Sequence, residues 1–156
     1  MAATKLSISR VMNAIASDTI DIPAIQTQAF PQQTTTGTTA SKLVDTAGDF
    51  VTRNIEKGAI IYNDTDGTVA TVTAIDSATV LSISADIMAT GELYRIFTEA
   101  TPAAYIYIGT ATSIKVTTSG GDDVIISNAA VGWHPVNITR LWVTGTTTAT
   151  THSFGW

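Results

Sequence analysis

The sequence predicts a mainly β protein made of small antiparallel barrel or sandwich modules with an extended N-terminal arm. Two observations support this fold class. About a fifth of the chain is threonine, a β-branched residue that suits the pleated, half-exposed surface of a sheet. Short runs of apolar and polar residues also recur along the chain, and turn-forming residues separate them about every 8–12 positions, a spacing typical of small sandwiches and barrels.

Residues 37–99 are predicted to form a small β-barrel module. Ile60, Ile61 and Tyr62 form a short apolar run, which the turn cluster Asn63–Gly67 ends. Alternating stretches follow at 69–75 and 79–84, and Leu93–Phe97 completes the module. Closing such a sheet would protect its edges, which carry few charges to repel wrong partners.

Residues 100–156 are predicted to form a second module, a C-terminal β-sandwich. Within it, Ser113–Thr117 and Asp123–Ser127 are two β runs joined by Gly120 and Gly121, a pattern that indicates a hairpin. His134–Val143 is typical of another strand. We expect Pro135 at the start or edge of that strand, because proline donates no backbone hydrogen bond.

Residues 1–36 are interpreted as an N-terminal arm that packs with the C-terminal module. Pro23 and Pro31 bracket an apolar piece that fits neither a helical nor a strand pattern. An extended segment of this kind can cover a core or contact a neighbouring subunit. Its apolar residues Ile20, Ile22 and Phe30 are therefore candidate interface residues.

Composition argues against several classes of partner. Only 13% of the 156 residues are charged and the net charge is −5, with basic residues scattered singly, so the stripe expected of a nucleic-acid-binding protein is lacking. No apolar stretch is long enough to span a membrane, and the N-terminal sequence lacks the pattern of a signal peptide. The absence of cysteine removes disulfides, thiolate ligands and thiol nucleophiles together.

The acidic turns resemble metal sites only superficially. Asp64–Gly67 looks like the opening of a calcium loop, but Ile75 stands where the bidentate glutamate is needed and the glycine is displaced. Asp122 and Asp123 follow two glycines, which is what a hairpin turn prefers. We therefore predict turns at both places and no bound metal.

The chain is predicted not to be an enzyme. His134 and His152 have no partner at metal-binding spacing, and the sequence contains neither a GxSxG elbow nor a glycine-rich nucleotide loop. We expect no cofactor and no small-molecule substrate. Carboxylates that are paired only in space stay an open alternative, which nothing in the sequence favours.

Trp133, Trp142 and Trp156 are also candidate interface residues. Aromatic residues in strands most often serve as core or subunit-contact anchors. Together with Tyr105 and Tyr107 they offer an alternative, a stacking platform for a host glycan.

The C-terminal third resembles a known group of proteins. The stretches Tyr107–Ala111, Ile114–Val124 and Asn128–Gly132, followed by Pro135–Thr147, are similar to a pattern common in small structural proteins of tailed bacteriophages. The middle segment, from 42–45 through 69–76, also looks like small β modules of virion proteins. The resemblance is taken to cover about two-thirds of the chain. The resemblance lies in the pattern and spacing of residues, and it assigns no functional residue to this chain.

The resemblance implies a β-rich virion protein, most similar to capsid decoration (cement) proteins. Such a subunit would be assembled in the host cytoplasm and would stabilise the head by binding across capsomer junctions. Its partners would be the major capsid protein and copies of itself, in a symmetric assembly such as a trimer. A tail, neck or connector subunit is the alternative that this interpretation leaves open.

Overall fold

A computed structural model describes residues 6–147 and 151–156 of the chain. It confirms the mainly β fold class. The described residues form one 3-10 helix, Ile25–Thr27, and twelve strands. The strands are β1 (Val11–Asn13), β2 (Gln33–Thr34), β3 (Lys42–Val44), β4 (Ile60–Asn63), β5 (Thr68–Ile75), β6 (Val80–Ile83), β7 (Leu93–Phe97), β8 (Ala104–Ile108), β9 (Thr112–Thr118), β10 (Asp123–Ala129), β11 (Gly132–Leu141) and β12 (Ser153–Gly155).

The chain divides into two compact units. Unit 1 combines Met1–Ile22 with Thr101–Trp156, and unit 2 is Pro23–Ala100. Residues 23–36, predicted to belong to an N-terminal arm, thus make their contacts within the same unit as residues 37–99. Compactness does not test independent folding, so the domain limits derived from the sequence stay a prediction.

Unit 2 is a curled antiparallel sheet whose edges are brought together by one segment. The strand order among its described residues is β2-β7-β4-β5-β6-β3. At the start of the segment Gln33–Gly37, Gln33 lies opposite Tyr94 of β7. At its end, Gly37 bridges Val44 of β3, and the N–H of Thr36 donates to the Val44 carbonyl. The segment that forms edge strand β2 therefore continues directly to edge strand β3, and this contact protects backbone groups that an open edge would expose.

The core of unit 2 lies on the concave face of this sheet. Side chains of β5 alternate as a half-buried strand should: Ala70 and Val72 are buried, whereas Thr71 and Thr73 are not. Aromatic residues fill the centre, with the Phe30 and Phe50 ring centroids 5.8 Å apart in an edge-to-face arrangement. The core consists of Phe30, Leu43, Phe50, Ile55, Ala59, Ile61, Ala70, Val72, Leu81, Ile83, Met88, Tyr94 and Ile96.

Unit 1 is built on a second antiparallel sheet, ordered β1-β12-β8-β11-β9-β10 among the described residues. Its first and last described strands pair with each other, because Met12 of β1 lies opposite Phe154 of β12. β8 alternates strictly, with Ala104, Ile106 and Ile108 buried and its two tyrosines half-buried. Pro135, expected near the start of a strand, is the fourth residue of β11, inside the irregular stretch where the pairing with β8 shifts register.

Within the described parts of the chain, no helix has the length and apolar character required to cross a bilayer.

Candidate interaction surface

The hairpin of β9 and β10 in unit 1 sets the geometry of the candidate surface. Its turn is closed by two hydrogen bonds of 2.9 Å, from the N–H of Gly121 to the Thr118 carbonyl and from the N–H of Thr118 to the Asp122 carbonyl. Gly121 has a φ of 91°, a conformation that glycine adopts without steric cost. The turn fixes the register, in which Val124 faces Val116 and Ile125 faces Lys115.

β10 turns one row of backbone groups away from β9. Residues of an antiparallel pair alternate between those that exchange hydrogen bonds with their partner and those whose N–H and C=O point outward. Since Asp122 is bonded to Thr118, the alternation places Val124 and Ile126 on the bonded row. The N–H and C=O of Asp123 and Ile125 therefore point to the side where no described strand lies.

The side chains of β10 are unusually exposed for apolar residues. Ile125 keeps 59% of its surface accessible and Val124 keeps 41%. Soluble proteins often guard an edge strand with lysine, proline or an inward-pointing charge. β10 contains none of these in its pairing stretch, and its single charge, Asp123, lies at the end beside the turn. We call the stretch Asp123–Ser127 the β10 edge.

A backbone irregularity ends the β10 edge. The pairing with β9 shifts between Ile126 and Ala129. Asn128 lies in this gap with a φ of 53°, in the left-handed region that asparagine tolerates better than most residues. Bulges of this kind stop a ladder from extending. The edge therefore offers five residues to a partner strand.

Trp142, a candidate interface residue, lies between two cations of its own unit. The Lys115 Nζ is 3.7 Å from the centre of the Trp142 ring, and the Arg140 Cζ is 5.3 Å from it. The indole N–H donates to the Thr117 hydroxyl over 2.8 Å. Arg140 is in turn bound to Asp21 over 2.7 Å. These contacts hold the half-buried ring on the outer face of the β9 and β11 strands.

Trp133 and Trp156 are also held by contacts within unit 1. The Trp133 ring is 5.4 Å from that of Tyr107 and lies so close to Gly155 that a Cβ added there would be 2.6 Å from it. The indole N–H of Trp156 donates to the Thr101 hydroxyl over 3.1 Å. Both rings stay half-buried.

The other three candidate interface residues differ in exposure. Ile20 is half-buried. Ile22 is only 3% exposed in unit 1, and Phe30 is 1% exposed in the core of unit 2. Their role in binding a partner stays a prediction.

The acidic turns make local contacts of the kind that turns need. The Asn63 side-chain carbonyl accepts hydrogen bonds from the N–H groups of Thr65 and Asp66. Asp64 forms an ion pair with Arg95 over 2.7 Å. Among the described residues, no group of three or more histidine, cysteine, aspartate or glutamate side chains is placed to hold a metal ion.

The histidines lie apart and bind backbone groups. The His134 Nε2 is 2.8 Å from the Ala130 carbonyl. His152 is buried, and its Nδ1 accepts a weak hydrogen bond of 3.4 Å from the N–H of Gly109.

A shallow cleft of about 370 Å³ in unit 2 is lined by Asp66, Asp86 and Glu92, and the last two are engaged locally. Asp86 accepts a hydrogen bond from the N–H of Ser41. Glu92 accepts from the side chain of Asn63 and from the N–H of Ala89. The cleft is therefore a site where loops are fastened together.

Sequence reasoning identified the hairpin but did not select Val124 and Ile125 as interface residues. Val124 and Ile125 follow the pattern of any strand. Whether a strand lies at the edge depends on which strands pair elsewhere in the sheet, so the local pattern does not reveal the exposure of these residues. β11 occupies the other side of β9, and that pairing is not encoded near β10. The one local signal was the run of apolar β-branched residues without a guarding charge.

Comparison with known proteins finds no relative of this chain: no family model, no curated protein and no solved structure matches it.

Proposed function

We propose that the chain is a structural subunit of a tailed-phage virion, a capsid decoration protein that stabilises the head by binding across capsomer junctions. The family resemblance of the C-terminal third supports the virion assignment. The structural observation that carries a contact role is the distribution of exposed apolar side chains. Among the described residues seven large hydrophobic side chains are exposed, and five of them, Val11, Val124, Ile125, Val131 and Val143, lie in unit 1.

Such a subunit works by contact rather than by turnover. Each apolar patch contributes modestly, because burying apolar surface stabilises by roughly 25 cal/mol per Å² before the cost of association is subtracted. Many copies on one shell would act together, since neighbouring contacts share the cost of immobilising the subunit. The major capsid protein and further copies of this chain are the proposed partners.

The charge-poor surface is consistent with this role. Four ion pairs among the described residues, such as Lys42 with Asp76 at 2.7 Å, engage half of the eight lysines and arginines in the chain. A surface of threonine and serine can be covered by a neighbour without stranding many buried charges, which would be costly.

Copy number in purified virions tests the proposal directly. Virions are separated into heads and tails, and this chain is quantified by mass spectrometry against isotope-labelled peptides. Hundreds of copies in the head fraction are expected. A small multiple of three, five or six in the tail or neck fraction would instead indicate a connector subunit, and absence from both fractions would overturn the virion assignment.

Add-back to heads lacking the subunit tests the stabilising role. Heads assembled without this chain should rupture at a lower temperature than complete heads, and the purified chain should restore the difference. Heads of equal stability with and without it would exclude a cement role even if the chain were abundant on them.

A further inference from the structure

We propose that two copies of this chain associate through their β10 edges, as an antiparallel strand pair with a two-fold axis at Ile125. The proposal goes beyond the virion assignment and does not depend on it, because it rests on the register, exposure and charge of β10 alone. It names one partner, a second copy of the same chain.

The backbone of the β10 edge selects the residues that can face each other. The outward N–H and C=O groups belong to Asp123 and Ile125. Ser127 directly follows the last regular pair, Ile126 with Ile114, and the proposal extends the same alternation by this one residue. Outward residues of one strand must lie opposite outward residues of its partner. With the axis at Ile125, Ile125 faces its own copy, and Asp123 faces Ser127 of the second copy.

The side chains of the edge are complementary to themselves in this arrangement. The Asp123 carboxylate, exposed at its end of the strand, already accepts a hydrogen bond from the Thr117 hydroxyl over 2.7 Å and lies 3.8 Å from the Lys115 Nζ. In the pair it also meets the Ser127 hydroxyl of the second copy, which can donate a further hydrogen bond to it. Val124 meets Ile126, so the apolar residues of each copy cover those of the other. Ile125, 59% accessible in the single chain, contacts its own copy beside it on one face of the extended sheet, which covers part of that surface.

Other arrangements are worse on charge or on backbone geometry. A parallel pair in the same register would place Asp122 and Asp123 against their own copies, and like charges directly opposite each other are destabilising. An antiparallel pair shifted by two residues one way sets Asp123 against Ile125. Shifted the other way, it extends the pairing past Asn128, whose φ of 53° interrupts the ladder.

The contact is small, so a modest affinity is expected. Five residues from each copy form the pair, well below the interface of a stable dimer, which buries about 1,200–2,000 Å² in total. Dimerisation should therefore depend on concentration in dilute solution.

Single cysteines test the position of the axis, because the chain contains no cysteine. Opposed residues that exchange backbone hydrogen bonds have Cα atoms about 5.5 Å apart, within the range that a disulfide spans. Ile125→Cys should form a disulfide-linked dimer under mild oxidation. Val51→Cys is the matched control, since Val51 is 57% exposed but lies in unit 2; equal rates for the two variants would overturn the proposal.

A mixture of two variants tests the direction of pairing. Val124→Cys and Ile126→Cys chains, one carrying a size tag, should form the mixed dimer faster than either forms a dimer with itself. A parallel pair in register would give the opposite result, with each variant linking to its own copy. That outcome would overturn the two-fold arrangement.

Sedimentation equilibrium over the soluble concentration range tests self-association without cross-links. The native chain should show a monomer–dimer equilibrium, and Ile125→Lys should weaken it by about tenfold or more by placing two cations together at the axis. Val51→Lys should leave it unchanged. The proposal would be contradicted by a native chain that stays monomeric or forms trimers, or by an Ile125→Lys variant that dimerises as well as the native chain.

Ile125→Pro separates edge pairing from the internal ladder. The N–H that proline lacks is one that points outward, so the pairing with β9 should survive while the pairing between copies is lost. Circular dichroism and tryptophan fluorescence report whether this variant is folded. If it is not, the Ile125→Lys result still decides the question.

Discussion

The Tyr94 hydroxyl donates a hydrogen bond of 2.7 Å to the Oδ2 of Asp45 inside unit 2, where both residues are at most 1% exposed. The other carboxylate oxygen of Asp45 accepts from the N–H of Ala47 over 2.8 Å. This pair links the turn after β3 to strand β7, at the other side of the sheet. A buried carboxylate is tolerated there because each of its oxygens has a donor.

Removing the Tyr94 hydroxyl should therefore destabilise unit 2. Tyr94→Phe leaves one oxygen of a buried carboxylate without its donor, and hydrogen bonds to charged groups contribute about 1.5–3 kcal/mol. We expect a loss of that size in the free energy of unfolding measured by denaturant titration. Tyr105→Phe, which alters a half-buried tyrosine of unit 1, is the control and should change stability much less.

The same pair predicts a dependence of stability on alkaline pH. Burial, and then the hydrogen bond to Asp45, raise the pKa of Tyr94 well above the ordinary value of 10.0. Above pH 10 the unfolded chain loses this proton while the folded chain keeps it, so stability falls as the pH rises further.

Tyrosinate absorbance measures this directly. In the folded chain Tyr94 should stay neutral at pH values where an unfolded tyrosine ionises, and it should ionise when the chain unfolds. Tyr94→Phe should reduce the alkaline loss of stability. Full titration of all four tyrosines at the ordinary value in the folded chain would contradict the buried pair.

Even the small side chain of alanine is predicted to destabilise unit 1 at position Gly109. A Cβ at this position would lie 1.9 Å from the carbonyl oxygen of Thr151, closer than any real contact, so the backbone must move. We expect Gly109→Ala to destabilise unit 1 by about 1–3 kcal/mol or more, the range found for overpacked cores. Gly120→Ala is the control, because the nearest atom to a Cβ added there is 3.6 Å away. All three tryptophans lie in unit 1, so their fluorescence monitors its unfolding.

Asp18 fastens the loop after β11 to the N-terminal segment of unit 1. Its Oδ1 accepts from the N–H groups of Val143 and Thr144, both over 2.9 Å, and its Oδ2 accepts from the Thr144 hydroxyl. Hydrogen bonds from the Thr144 N–H, and then from its hydroxyl, lower the pKa of Asp18 below the ordinary 3.8. The stability that this carboxylate adds is therefore present above pH 3.8 and is lost as the pH falls through the lowered pKa.

Asp18→Asn tests that contribution. At neutral pH it should lower the thermal midpoint of unit 1 measured by tryptophan fluorescence. The difference in thermal midpoint from the native chain should shrink in acid, where native Asp18 is protonated and therefore uncharged, as asparagine is. Asp122→Asn, in the exposed hairpin turn, should cause little change at either pH. A difference that persists unchanged in strong acid would show that the charge of Asp18 is not the cause.

Much of the fold was predictable because strands leave a local signal. The β9 and β10 hairpin followed from two alternating runs around Gly120 and Gly121. The alternation of β5 between buried and exposed residues was legible in the same way. Pairings between distant segments were not predictable, because strict alternation fixes which face a residue lies on but not which strand lies beside it.

The candidate site shows the same limit. The pattern around Ile125 predicts a strand, but the exposure of this residue follows from the end position of β10 in the strand order. Conversely, the two prolines that flank the segment of Phe30 suggest an arm, whereas the 3-10 helix and β2 carry this segment into unit 2. Proline breaks the local pattern without determining where the chain goes next.

The position of Phe30 also changes what a truncation is expected to do. Phe30 is 1% exposed, and its ring centroid lies 5.8 Å from that of Phe50 and 6.4 Å from that of Tyr94. The Cζ of Arg53 is 4.1 Å from the centre of the Phe30 ring. Deleting residues 1–30 would leave the barrel folded if this segment were only a docking arm. The contacts within unit 2 predict the opposite, because the deletion removes a central core residue.

The point variant Phe30→Ala tests this without altering the chain length. Replacing a buried phenylalanine by alanine costs about 3–5 kcal/mol, from lost burial and from the cavity left behind. We expect such a loss in the free energy of unfolding, whereas Val51→Ala should change it little, because Val51 is 57% exposed. If Phe30→Ala were as stable as the native chain, Phe30 would not be a core residue. Contact with a partner would then be the better explanation for a phenylalanine at this position.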